Sequence, residues 1–321
     1  YARMMQGQYE TYYAGMMGTT AEEMWAQDAG DDKTYEESMK DSILENLENM
    51  YIISQHAADY EVSLSEDEQK AIEDAAEKFS EDNTEEAKEI VSGYQKHIEK
   101  FLELSTIQNK MDSKMREGVD EEVSDEEAAQ KSMQYVYFSY TTTDDTGNST
   151  ELTDEEKENL KTSAQSLADR VKNGEDLETV AGELGVEVQT ATFDSESTTP
   201  NENLVTAADA LAAEGDVTDV VETDSGLYVA KLTSLLDREA TDQEKTNIIE
   251  QRKQDQYDSL LEEWRDAADI QVNEKIWKKV DFDDIGVTII TSEEETSGDG
   301  ATEDGSAEEG SEDTAGTDAA E

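Results

Sequence analysis

The 321-residue chain has no cysteine, one proline and two histidines. Without cysteine it can form no disulfide, no thiolate nucleophile and no Cys-ligated zinc site, and two histidines are too few for a His-rich metal site. Basic residues are also scarce, since 25 Lys and Arg stand against 83 Asp and Glu and give a formal net charge of -58. A chain of this charge repels polyanions. We therefore expect no metal, no cofactor and no nucleic-acid partner.

Long hydrophobic runs are absent too, so the sequence contains no candidate for a membrane-spanning helix of about 20 apolar residues. The chain begins at Tyr1 rather than at Met, inside a helical pattern. We therefore expect that an upstream segment has been removed, and a signal, an anchor and a strand all remain open. A membrane contact is expected only through such an upstream anchor.

Apolar residues are rare at the C-terminus. Residues 292–321 carry 12 acidic side chains and no basic or large apolar one. Such a segment cannot offset the entropy lost on ordering. We predict a disordered acidic tail over residues 288–321; a tail that binds a specific partner is the alternative.

The part of the chain before the first predicted strand shows the apolar spacing of helices. Apolar residues spaced by three and four predict helices over 35–60, 63–79 and 84–117, and a short helix from Ser124. A stripe of Tyr and Met near the N-terminus is interpreted as core, with a surface that grips apolar partners as the alternative. The residues of this stripe are Tyr9, Tyr12, Tyr13, Met16 and Met17.

The period changes at Met133, where aromatic and branched residues predict a strand up to Tyr140. The next elements are a turn at 141–150, helices at 153–173 and 177–184, a strand at 186–193, a helix at 204–213 and strands at 217–221 and 227–235. This order is βααβαββ. A helix over 241–268 then presents an apolar face that needs the N-terminal helices as its partner.

These elements predict an α+β fold in four parts. Residues 1–132 form the first part of a helical domain, and residues 133–237 form an inserted βααβαββ domain. Residues 238–287 contain a C-terminal helix that packs back on the helical domain, and residues 288–321 form the tail.

Two segments carry a family resemblance. Gly174-Glu175-Asp176-Leu177-Glu178-Thr179-Val180-Ala181 is similar to a segment of the parvulin-type peptidyl-prolyl isomerases, and the 18 residues from Gly215 to Leu232 resemble the closing pattern of that family. The flanking helices resemble the extracytoplasmic foldases of the PrsA-like and SurA-like group. The resemblance implies a parvulin-like domain inserted in a helical chaperone domain.

The site departs from the family pattern. Tyr137 and Tyr228 stand at the two positions where active parvulins carry His, so the resemblance implies that they are the degenerate catalytic pair. The family's Ser- and Gly-rich loop is missing before Val188, and the helix aromatic falls at Asp209 or Ala210. Phe193 and Leu204 are the expected substrate-binding residues.

The resemblance implies a bacterial extracytoplasmic foldase, at the cell surface or secreted, that binds unfolded exported polypeptides. Two Tyr in place of two His lose a group that titrates near neutral pH, so we expect weak or lost isomerase activity. An active peptidyl-prolyl isomerase is the alternative, and a non-catalytic surface interaction module is a further one. A homodimer also stays open.

Overall fold

The computed structural model describes residues 1–14, 16, 18–143 and 147–282. The predicted tail over 288–321 lies outside these residues. The chain divides into two compact units, and each is described by itself. Unit 1 comprises residues 1–111 and the described residues from 264 onwards, and unit 2 comprises residues 112–263. The α+β class predicted from the sequence is confirmed.

Unit 1 is helical. Its helices are α1 (Ala2–Tyr9), α2 (Ala21–Trp25), α3 (Tyr35–His56), α4 (Glu66–Asp82), α5 (Glu85–Val91), α6 (Gln95–Met115), which ends in unit 2, and the short α11 (Glu274–Trp277). A π-helical turn spans Glu10–Ala14 and a 3-10 turn spans Ala57–Tyr60.

Helices α2, α3 and α4 each begin at a capping box, in which a hydroxyl accepts a backbone N–H and a Glu three residues later accepts the N–H of the cap. The caps are Thr20, Thr34 and Ser65. These reciprocal bonds satisfy N–H groups that have no partner within the helix, so the sequence fixes where each helix starts.

The single helix predicted over 84–117 is wrong, because the structure breaks it into α5 and α6. Ser92 adopts the left-handed conformation at φ 52°. Gly93 follows, and a Cβ there would lie 2.8 Å from the ring of Phe79. The backbone leaves the helical path where Phe79 of α4 approaches it, and a larger residue at position 93 would require that ring to shift.

The core interpretation of the N-terminal stripe holds for one residue and fails for three. Tyr9 packs on a buried cluster around Trp25, with ring centroids 6.1 Å apart. Tyr12, Tyr13 and Met16 are exposed by 48%, 42% and 76%. Tyr12 and Tyr13 lie on the π-helical turn, whose wider period rotates them off the buried face, and Met16 lies beyond that turn. Met17 lies outside the described residues.

Unit 2 is built on a four-stranded antiparallel sheet in the order β4-β1-β6-β5. Its strands are β1 (Lys131–Ser139), β4 (Val188–Phe193), β5 (Val221–Glu222) and β6 (Gly226–Ser234), and a separate hairpin contains β2 (Thr141–Thr143) and β3 (Ser149–Glu151). Its helices are α7 (Asp154–Lys172), α8 (Leu177–Leu184), α9 (Glu202–Asp209) and α10 (Arg238–Ala267), which ends in unit 1.

Alternation along β1 and β6 creates two buried layers. On one face, Val136, Phe138 and Val229 pack with α7 and α8. On the other face, the odd-numbered residues of β1 and the even-numbered residues of β6 pack with α9. The βααβαββ order predicted from the sequence is confirmed, with the short β2–β3 hairpin added where a turn was predicted.

Two smaller predictions in unit 2 need correction. The short helix predicted from Ser124 is only a turn, closed by the hydrogen bond from the N–H of Ala128 to the carbonyl oxygen of Ser124. Asp125 in this turn forms ion pairs with Arg238 and Lys245 of α10. The strand predicted at 217–221 narrows to β5, and Val217 makes an isolated bridge to Lys231.

The end of α10 packs within unit 1. The Trp264 indole stacks on His56 with ring centroids 4.2 Å apart. The guanidinium of Arg265 donates to Asn49 at 2.5 Å and to Glu48 at 2.9 Å. These contacts tie the last turn of α10 to α3. Among the described residues, no helix combines the length and the apolar character that crossing a bilayer demands.

Candidate functional site

Two tyrosines sit opposite each other on the central strands of the sheet. Tyr137 of β1 pairs with Tyr228 of β6 in the antiparallel register. Their rings stack with centroids 4.5 Å apart and planes 29° apart. Directly opposed side chains on one face are close enough for such contacts. The structure therefore brings together the two positions that the sequence singled out.

Tyr137 is held by the turn that precedes β6. Its hydroxyl donates to the carbonyl oxygen of Ser225 at 2.7 Å. Its ring lies against Gly226, where an added Cβ would be 2.7 Å from Cε2 of Tyr137. Both contacts fix the ring in place, and the hydroxyl proton is already committed to the backbone.

Tyr228 is 8% exposed, and burial, followed by the neighbouring Tyr137 and Tyr135, raises the pKa of its phenol above the usual 10.0. The phenol is therefore neutral at physiological pH. In the described part of the chain its hydroxyl has no hydrogen-bond partner, so it can donate to or accept from a ligand. A histidine at this place could change its charge near neutral pH, whereas Tyr228 cannot.

Phe193 and Leu204 belong to the same cluster as the two tyrosines, but both are 0% exposed. Phe193 ends β4 and Leu204 lies in the first turn of α9. Both side chains are therefore closed to a ligand in this arrangement, in which α9 packs on the sheet. Their assignment as substrate-binding residues stays a prediction.

One residue of the cluster was missed by the sequence reasoning. Tyr135 lies two residues before Tyr137, packs 6.1 Å from the ring of Tyr228, and donates from its hydroxyl to Gln189 at 2.5 Å. The period-two rule puts Tyr135 and Tyr137 on one face of the strand, and this signal was available in the sequence.

Two features expected to differ from the parvulin pattern are the end of α9, which carries a polar residue, and the connection from α8 to β4, which is short. Asp209, at the end of α9, forms an ion pair with Lys131 at 2.9 Å. Only three residues separate α8 from β4, so the chain passes directly into the strand. Neither feature supplies an aromatic or a loop wall to a proline pocket. Within the described ranges no cluster of three or more His, Asp and Glu is placed to hold a metal ion.

This geometry can be compared with known proteins. Residues 141–234 match the family model of the rotamase domain, described as the PPIC-type PPIASE domain. The chain contains a parvulin-type rotamase domain. The matched range begins after β1, so Tyr137 lies before it, whereas Phe193, Leu204 and Tyr228 lie inside it. No curated protein matches the chain.

Solved structures named PrsA are similar to the chain at low identity. The foldase protein PrsA from Streptococcus pneumoniae is 18% identical, with 79% of this chain and 97% of that chain covered and a TM-score of 0.32. PrsA from Bacillus subtilis is 18% identical over 79% and 95%, with a TM-score of 0.24. The peptidylprolyl isomerase PrsA from Bacillus cereus is 16% identical over 79% and 97%, with a TM-score of 0.34.

Proposed function

We propose that the protein is an extracytoplasmic foldase that binds unfolded exported polypeptides and whose parvulin-type domain has weak or no isomerase activity. The observation that carries the second part is the stacked pair of Tyr137 and Tyr228. It stands at the centre of the sheet, where the family resemblance implies two histidines.

Prolyl isomerisation needs no nucleophile, since the barrier of about 18–20 kcal/mol comes from amide resonance. A catalyst has to hold the proline ring in an apolar pocket and stabilise the twisted amide. Here Phe193 and Leu204 are fully covered, and the Tyr137 hydroxyl already donates to a backbone carbonyl. Opening a pocket would require moving α9 and breaking the Lys131–Asp209 ion pair.

Net charge supports the polypeptide-binding part of the proposal. At -58 the protein repels other copies of itself and attracts basic segments, and this charge keeps a complex with an unfolded chain in solution. We expect clients that are basic or amphipathic, and we expect binding to weaken as salt screens the charges.

Two assays on the full chain test the two parts separately. NMR exchange spectroscopy on an Ala-Pro peptide at micromolar protein should show cis–trans exchange at the uncatalysed rate, with times of tens to hundreds of seconds. Clear acceleration would instead establish the alternative, an active isomerase, and Y228F would then show whether the buried phenol takes part.

Light scattering of a basic unfolded client at low salt should show slower aggregation when the protein is present. An acidic client of similar length is the control and should gain little. If the protein protects neither client, the chaperone part of the proposal is wrong. Binding to one folded partner alone would then favour a non-catalytic interaction module.

A further inference from the structure

The sheet of unit 2 has an open edge at β4. In the order β4-β1-β6-β5, β4 is the outermost strand and pairs only with β1 among the described residues. Edge strands expose unpaired backbone groups, and natural proteins protect them with charges, proline or bulges. Val188–Phe193 contains none of these charges and no proline, although 34% of the chain is charged.

The register shows which backbone groups point outward. The N–H of Tyr140 donates to Ser225 across the β1–β6 pair. Because hydrogen-bonding directions alternate along an antiparallel strand, the even-numbered residues of β1 face β6 and the odd-numbered ones face β4. Tyr135 pairs with Gln189 and Met133 with Ala191. The backbone N–H and C=O groups of Gln189 and Ala191 therefore bond to β1, and those of the even-numbered residues of β4 face outward.

The outward-facing residues are Val188, Thr190 and Thr192, and both threonines are exposed. Their N–H and C=O groups form a ladder that an added strand can complete. The same alternation holds on β6. On the side of β6 that faces away from β1, the N–H of Thr218 donates to the carbonyl oxygen of Ala230, and the N–H of Leu232 donates to that of Asp216.

A polar groove lies beside this edge. It has a volume of about 530 Å³, and its lining includes the hydroxyl-bearing residues Ser132, Thr190, Thr192 and Thr233, together with Gln134 and Asp237. It opens on the sheet face opposite the tyrosine pair, because Thr190 and Thr192 alternate with Ala191 and Phe193. Hydroxyls and a carboxylate suit a long basic side chain better than an apolar one.

Acidic residues lie at both ends of β4, and they favour an added strand with basic residues at its ends. Glu187 is exposed just before the strand and Asp194 follows it. Burial raises the pKa of Asp194, but hydrogen bonds from Ser197, Gln130 and backbone N–H groups together outweigh it and lower the pKa, so the carboxyl is ionised. In a self-paired ladder centred on Thr190, Glu187 of each copy would lie opposite Phe193 of the other, one residue away from Asp194, so the acidic ends of the two strands would come together at both ends of the ladder. Two copies of charge -58 would also have to meet.

We propose that β4 is a docking edge for an extended, basic-flanked segment of an unfolded polypeptide, which adds as a fifth strand and extends long basic side chains towards the groove. The outward edge of β4 faces away from the tyrosine pair, although Met133 and Ala191 belong both to the groove lining and to the tyrosine cluster. Binding at this edge requires no isomerisation. It rests on the proposed function in one respect, that the partner is a polypeptide.

The probe is a fluorescent peptide of about eight residues with Lys at both ends and alternating Val and Thr between them, matched to the span of about 24 Å from Glu187 to Asp194. Fluorescence anisotropy with the full chain should show saturable binding, and amide NMR shifts should be largest at residues 188, 190 and 192. The same peptide with Glu at both ends should bind at least about tenfold more weakly.

Two variants at one position separate backbone pairing from side-chain contact. T190P removes an outward-facing N–H, and proline is tolerated on an edge strand at such a position, so the fold should remain while peptide affinity falls about tenfold or more. T190V keeps the backbone ladder and should bind within about twofold of the wild type. If T190P is folded by circular dichroism and binds like the wild type, the proposal is wrong.

If T190P fails to fold, a peptide N-methylated at alternate residues takes its place, because methylation removes the pairing N–H groups without changing the protein. Equal binding of the methylated and unmodified peptides overturns the proposal. A wild-type protein that slows client aggregation but does not bind the peptide also overturns it and leaves the proposed function intact. Concentration-dependent dimerisation blocked by T190P would make a second copy the occupant and likewise overturn it.

Discussion

The contact between Gly226 and Tyr137 makes the position of the tyrosine pair testable. An added Cβ at residue 226 would lie 2.2 Å from the carbonyl oxygen of Phe138 and 2.7 Å from the ring of Tyr137. The oxygen belongs to the paired strand β1, so it cannot rotate away as a side chain can. Strand β6 would have to shift by about an ångström to restore an ordinary contact.

We therefore expect G226A to destabilise unit 2 by about 2–4 kcal/mol, at and above the upper end of the usual cost of overpacking of about 1–3 kcal/mol, because the oxygen that clashes belongs to a paired backbone. At about 1.4 kcal/mol per factor of ten, this corresponds to amide exchange in β1 that is about 30-fold to 700-fold faster. Native-state hydrogen exchange of the Val136 and Phe138 amides measures it. The Tyr137 ring signals should shift as well, because the ring rests on residue 226.

The matched control is the same substitution in a helix. Gly182 lies in α8, and a Cβ there meets nothing within 4 Å. G182A should stabilise the protein by about 0.5–1 kcal/mol, because alanine loses less backbone entropy in a helix. If G226A slows exchange or leaves it unchanged while G182A behaves as expected, the packing of Tyr137 on the turn is not as described.

Two further predictions address burial and charge. F193A should lower the free energy of unfolding in urea by about 3–5 kcal/mol, since Phe193 is 0% exposed. The control T192A, at an exposed position, should change it by no more than about 0.5 kcal/mol. A loss below about 1 kcal/mol for F193A would mean that Phe193 lines an open pocket. Hydrogen bonds from Lys110 and then from the Ser65 N–H lower the pKa of Glu68 from 4.5 to about 2, so the stability linked to its ionisation is present above pH 4.5 and is lost as pH falls through about 2. NMR titration of the Glu68 carboxyl should show this midpoint and K110Q should raise it, whereas a wild-type midpoint near 4.5 would contradict the contact.

Local signals predicted most of the elements. Helix ends are marked by bonds made within a few residues, so the sequence predicts the boundaries of these helices closely. Examples are the capping boxes at Thr34 and Ser65 and the left-handed glycine at Gly185. Aromatic and branched residues predicted β1, and the family resemblance singled out Tyr137 and Tyr228, which the register of β1 and β6 then places opposite each other.

The errors arose where the apolar period of a helix continues across a break. Gly93 follows the left-handed Ser92 and is a local stop signal of the same kind as Gly185, but the prediction followed the period instead. At Asp125 the structure shows ion pairs with Arg238 and Lys245 of α10, which lie far along the chain and which no local pattern reveals. The complete burial of Leu204 likewise depends on how α9 lies on the sheet.

The sequence by itself determined the charge, the absence of cysteine chemistry, the order of helices and strands, and the presence of tyrosine at positions 137 and 228, because these properties belong to single residues or to short periods. Tertiary structure alone decided that the Tyr137 hydroxyl is committed to a carbonyl, that Phe193 is closed off, and that β4 is left with a free edge. Each of these depends on which segments meet in space, and sheet order and burial are set by the sum of all packing contacts rather than by any local run of residues.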